Sequence, residues 1–464
     1  MTTFASFVRA GASDGSTASA ATTASAATTA SAATTASAAR SSNASTAPAP
    51  GSAAAKAPPA YLPGEHFAAA LLFLLLGAAG VIVVAPELAR GSFLAPRVAA
   101  TTHLFTLGWI TTSIMGALYQ FLPVALDRPI RSVRVAHATF LLYVPGLLAF
   151  VAGLAATRPA LMLAGAATFG TGVLLFVGNL AVTLATAKRR DVTWWALCLA
   201  TFYLLVTLVL GLALTGNLRW GYLGGGRLNA IGVHLHVALA GWVLLVMIGV
   251  AHRLLPMFLL SHGAGDRFAK AAVALVASGA GMLALLHHAR PLLSHWLPVI
   301  LIASGCIAFL LQARQYYARR HRPALDPGMR LAAGALALLT LALLLSWPVV
   351  TANAPARIAV AYVMAALLAI SLFVAAHYYR IVPFLVWYHR FGPLVGRRAV
   401  PKVSELFSAR VATAAVVALL GGALLLIGSV ALGAAVPARV GALLFACGAA
   451  VEAAQMTLLW RTRP

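Results

Sequence analysis

Residues 103–123, HLFTLGWITTSIMGALYQFLP, and residues 236–256, HVALAGWVLLVMIGVAHRLLP, are one pattern written twice. His103 falls on His236, Gly108 on Gly241, Trp109 on Trp242, and Leu122-Pro123 on Leu255-Pro256. Each stretch is long and apolar enough for a helix set in hydrocarbon. An imidazole near the start of such a helix is costly, so its recurrence asks for a reason. A third copy, AYVMAALLAISLFVAAHYYRIVPFLVWY over 361–388, keeps Tyr379 in register with Tyr119 and Val382-Pro383 in register with the Leu-Pro steps. Val363 stands where the other two copies carry histidine.

Working outward, windows of about twenty apolar residues predict spans near 66–86, 98–124, 134–156, 159–186, 193–215, 229–259, 268–288, 293–313, 330–350, 357–386, 409–432 and 438–460. The three copies occupy the second, sixth and tenth, which implies a four-helix unit used three times. The expected fold is therefore an all-α polytopic membrane protein of about twelve transmembrane helices in three pseudo-repeated arcs of four. Composition agrees: 61% of residues are hydrophobic and 9% charged, leaving too little polar surface for a soluble protein.

The formal charge of +24 is unevenly placed. Loops that follow even spans carry most of the cations, among them Arg128, Arg131, Lys188, Arg189, Arg190, Arg319, Arg320, Arg397 and Arg398, whereas the opposite loops carry few. By the positive-inside rule this predicts both termini in the cytoplasm, and it assigns the charge to a membrane surface rather than to nucleic acid. Residues 1–62 are a different material, a six-residue Ala/Ser/Thr repeat followed by APAPGSAAAKAPPA, and are expected to be a disordered cytoplasmic tail ahead of the membrane domain at 63–464. That stretch lacks the apolar core and small-residue cleavage site of a signal peptide. Cys198, Cys306 and Cys447 stand singly inside apolar spans and carry no disulfide or haem-attachment motif.

All even spans run in one direction, so His103 and His236 are expected at equal depth. Two neutral imidazoles that face each other can bracket an iron-porphyrin plane, which makes a b-type haem the first cofactor expected. The plainer alternative is a pair of buried histidines, each hydrogen-bonded to a neighbouring helix. His234 lies about 200° round the helix from His236 and cannot share its face in a regular helix. His287 and His288 end the seventh span at similar depth. With His236 they would make three imidazoles suited to copper, or else a polar helix end meeting headgroups. Trp109 and Trp242, with Arg219, Arg227, Arg290 and Arg439 in the nearby loops, are candidate partners for haem propionates.

The order of these histidines resembles subunit I of the haem-copper oxidase superfamily. The stretch HLFTLGW with GALYQFLPV is especially similar to short subunit-I-like bacterial membrane proteins, over roughly residues 66–460. The resemblance implies His103 as ligand to a low-spin haem, and His236, His287 and His288 as copper ligands beside a second haem. It departs from the family in span ten, where a His-x-His is expected and only His377 occurs, near the other end of the helix. Ala240 stands where oxygen reductases carry a tyrosine and nitric oxide reductases a glutamate. The expected function is thus haem binding, with copper as a second expectation, in electron transfer or in handling nitric oxide or oxygen, short of a complete oxygen reductase. That is also the business of the NnrS family of haem- and copper-containing membrane proteins. The implied partners are the lipid bilayer and respiratory-chain subunits or a cytochrome donor. A non-redox transporter or metal-handling protein is the alternative, and a structural subunit of a respiratory complex a further one.

Two other polar features stand out. Glu452 lies in the middle of span twelve, with Gln455 one turn on, and marks a proton site or a partner for a buried cation. Tyr119, His252-Arg253 and His377 with Tyr379-Arg380 precede the three prolines, as the ring of an inner cavity or as interfacial anchors.

Overall fold

A computed structural model describes residues 58–286, 295–351 and 354–464. Most of the expected tail, together with His287 and His288, lies outside the described residues. Among the described residues the chain forms twelve helical stretches and no strand. They are α1 Tyr61–Ala89; α2, which joins Pro96–His103, Leu104–Thr111 and Thr112–Ala125; α3 Val133–Ala155; α4 Pro159–Ala185; and α5 Val192–Trp220. Next come α6, which joins Arg227–His236, Val237–Leu244 and Leu245–Leu259; α7 Arg267–Leu286; and α8 Leu297–Ala318. The chain ends with α9 Pro327–Thr351, α10 Ala356–Val386, α11 Ala409–Leu432 and α12 Ala435–Arg461. Eleven are long and apolar enough to cross a membrane, and α2 reaches that length once its three pieces are joined. This is an all-α, multi-pass membrane protein.

The helices are apolar nearly all round, as a span between protein and lipid requires. Side chains such as Leu72, Val83, Leu174, Val209, Leu344 and Val417 remain exposed on the outer wall, where lipid replaces water. Burial locates the centre. In the most apolar stretch of each span, 61% of residues are buried in α6 and 67% in α10, against 28–50% in the other candidate spans. Helices α2, α6 and α10, which carry the three sequence copies, pack against one another there.

The repeat extends to the packing around this centre. Hairpins α3–α4 and α11–α12 are locked at matching places. A Cβ on Gly146 would come 2.4 Å from the Phe169 nitrogen, and one on Gly422 would come 2.3 Å from the Phe445 nitrogen. Small residues that admit a neighbouring backbone are how helices associate without a hydrophobic drive between them. In a second pairing, Gly108 of α2 leaves room for the Phe73 ring of α1, and Gly241 of α6 does the same for Tyr203 of α5.

Helix starts follow local chemistry. Ser132, Asp191 and Ser408 cap α3, α5 and α11 by accepting from the amides of Val135, Trp194 and Val411, and Asp326 caps α9 through Met329. All four sit at the arginine-rich end. At the other end, Gly221 and Gly433 close α5 and α11 in the left-handed conformation that favours glycine, at φ 69° and 76°. The prolines at 123, 256 and 383 lie inside their helices, each close to its end.

A histidine cluster on interrupted helices

His103 is the last α-helical residue before a π-helical run, Leu104–Thr111, and His236 is the last before another, Val237–Leu244. The two runs are in register with the sequence repeat. The third copy has none there, because α10 is regular from Ala356 to Val386. A π turn carries an extra residue and so rotates the two flanking segments of helix by about 100° relative to each other. It also frees a carbonyl. In α2 the Leu107 oxygen accepts from Thr112 Oγ1 at 3.1 Å and from Tyr143 Oη of α3 at 2.9 Å. Such interruptions concentrate at functional sites. At this position they occur only in the copies that keep histidine, while α10 has its π run at the opposite end, Trp387–Phe391.

Both rings are oriented in the same way. His103 Nδ1 lies 2.8 Å from the Ala99 carbonyl, and His236 Nδ1 lies 2.8 Å from the Gly232 carbonyl. A carbonyl can only accept, so Nδ1 carries the proton and Nε2 presents its lone pair. His103 stands edge-on to Phe150 of α3, 5.3 Å between centroids, and its Nε2 has no hydrogen-bond partner among the described residues. His236 Nε2 lies 3.1 Å from the Tyr362 hydroxyl of α10, which donates to it, and the two rings stack 5.9 Å apart at 22°. His103, His236 and Tyr362 are half-buried, so none of the three is sealed in close-packed core.

His234 stands two residues before His236 on the same helix, α6. It lies against α5, where a Cβ on Gly211 would come 3.1 Å from its Cε1, and its buried Nδ1 has no partner among the described residues. The cluster around α2 and α6 is therefore broader than the pair of equivalent histidines. Among the described residues no three His, Cys, Asp or Glu side chains converge as a metal site. The copper trio includes His287 and His288, which lie outside the described residues.

Trp109 and Trp242 are both buried, with their indole N–H groups in use. Trp109 donates to Ser371 of α10 at 2.9 Å, and Trp242 donates to Thr111 of α2 at 3.1 Å. Thr111, Leu244 and Ser371 are equivalent in the repeat, as are Trp109, Trp242 and Ala369. Two edges of a three-helix ring are thus closed by the same tryptophan-to-hydroxyl bond, and the third edge has lost both donor and acceptor.

At the arginine-rich end the residues before the prolines prove to be internal ties. Arg253 pairs with Asp191, and Arg380 pairs with Asp326. Each aspartate also caps the helix that begins its unit, so one carboxylate fixes α5 to α6 and another fixes α9 to α10. The first unit has Ala60 and Gln120 in these places, and the Gln120 oxygen is unpartnered. Tyr119 and Tyr379 are buried, and His252 bonds Tyr316 of α8 at 2.6 Å. His377 is buried with Nδ1 on the Phe373 carbonyl at 2.7 Å.

No protein-family model matches this chain, and no curated protein matches it either.

Proposed function

We propose that the histidine-bearing end of the bundle holds one b-type haem with His103 and His236 as its ligands, and that the protein serves electron transfer or the handling of nitric oxide or oxygen. The observation that carries this reading is the state of His103: Nδ1 is anchored on a carbonyl, Nε2 offers an unshared lone pair, and the ring is only half-buried. That donor set fits a porphyrin iron. When bound, haem would supply reversible one-electron chemistry. The chain's own contribution is to hold the Nδ1–H tautomer through Ala99 and Gly232 and to keep bulk water out with apolar helix walls. Tyr362 holds the His236 lone pair in this structure, so ligation requires that hydroxyl to turn away. Copper on His236, His287 and His288 is the competing assignment, because one nitrogen serves one metal. In this reading the protein sits in a bacterial-type inner membrane with both termini cytoplasmic, and takes electrons from a cytochrome or a respiratory subunit.

The decisive experiment is an optical spectrum with metal analysis on purified protein. A Soret band that is lost in His103→Ala supports the proposal. A colourless, metal-free preparation overturns it and leaves the non-redox transporter, which the buried, unpaired carboxyl of Glu452 favours as a second reading.

A further inference from the structure

We propose that Glu452 is a proton-binding site of the membrane domain, a carboxylic acid in the resting protein that can be emptied and refilled. This inference does not rest on the haem reading.

Glu452 is 0% exposed in the middle of α12, and neither carboxyl oxygen has a hydrogen-bond partner among the described residues. No lysine, arginine or histidine pairs with it there. An unpaired carboxylate at such a place would bear the full desolvation penalty of a buried ion without its counter-ion, so the acid form is the one the site can hold. Inside a membrane such a group is retained for function or lost.

One turn along α12, Gln455 accepts from Tyr379 at 3.4 Å and donates to the Ser408 carbonyl at 3.1 Å, at the exposed start of α11. The neighbouring amide is thus spent on other partners and does not satisfy the carboxyl. On α10 the Tyr378 hydroxyl is likewise engaged, 2.8 Å from Ser113 Oγ of α2.

The test uses the full chain in lipid nanodiscs. Wild type should show a carboxylic-acid C=O band in the infrared that Glu452→Gln removes, and the band should shift in D2O. Dicyclohexylcarbodiimide, which reacts with protonated buried carboxyls, should label the tryptic peptide Val440–Arg461, whose only side-chain carboxyl is Glu452. The labelling needs no variant, so it stands even where Glu452→Gln does not fold. An ionised carboxylate with no label overturns the proposal.

Discussion

Replacing Trp242 by phenylalanine keeps the ring and deletes one N–H, which leaves the buried Thr111 hydroxyl without its donor. Interhelical bonds of this kind in membranes contribute about 0.6–1.7 kcal/mol. Trp242→Phe and Trp109→Phe should each lower thermal stability in detergent by about that much. Thr111→Val combined with Trp242→Phe should cost little more than either change alone, and additive losses would show that the bond is not the source. Tyr362 repays the same attention. Aligning the copies on their histidines does not reveal it, because it stands one place before Val363. Tyr362→Phe removes the donor on His236 Nε2 at a cost of about 1 kcal/mol. If His236 ligates haem, the variant should take up added haem more readily, with a changed Soret position. A spectrum identical to wild type argues that His236 is not a ligand. The histidines themselves are legible because the chain states their setting twice. Their orientation is not, since it depends on carbonyls four residues back and on which helix faces each ring.

At the level of helices, most boundaries are readable from runs of apolar residues, and the observed ends fall within a few residues of the expected ones. The π runs after His103 and His236 are not, because an i→i+5 turn has no side-chain signature and shows only as backbone geometry. Arg253 and Arg380 look like interfacial anchors in the sequence, which gives no means of pairing them with Asp191 and Asp326 across separate helices. Each aspartate does two jobs, so Asp191→Ala should remove a helix cap worth about 1 kcal/mol and release Arg253 as well. The ion pair is partly exposed and adds little beyond that. Asp191→Asn retains a capping side chain and should recover most of the loss in a thermal melt. Equal losses in both variants would place the effect in the charge. A third aspartate, Asp266, lies at the start of α7 with Lys270 at 2.9 Å, and this hydrogen bond holds its carboxyl below the ordinary value. A depressed acid stabilises the fold above its unfolded-state titration and loses that contribution as pH falls through the folded one. Asp266→Asn should therefore flatten the acid side of the stability profile slightly, and a profile of unchanged slope would contradict the pairing.

For the molecule as a whole, three units of common plan have diverged in their seams and their polar sites. Unit one keeps a histidine and lacks the Asp–Arg tie; unit two keeps both; unit three keeps the tie, has lost the histidine, and has gained the buried carboxyl. The seam between units two and three is the loosest. A cleft of about 270 Å³ opens there between α8 and α9, lined by Leu310, Arg314, Tyr317, Leu336 and Thr340. Unit three is held instead by α12 against α1 and by α10 in the central ring. The loop across this seam presents Arg319 and Arg320, both exposed. Trypsin should cut there, and the pieces on either side of the cut should still migrate together in mild detergent, because the contacts that hold unit three do not pass through that loop. Separation on cleavage would show that the linker, and not packing around the centre, keeps the third unit in place. The same cut reads the orientation proposed from the arginine distribution. It should occur in inverted membrane vesicles and not in intact cells whose outer barrier has been opened, and the reverse pattern would put the histidine cluster on the cytoplasmic side.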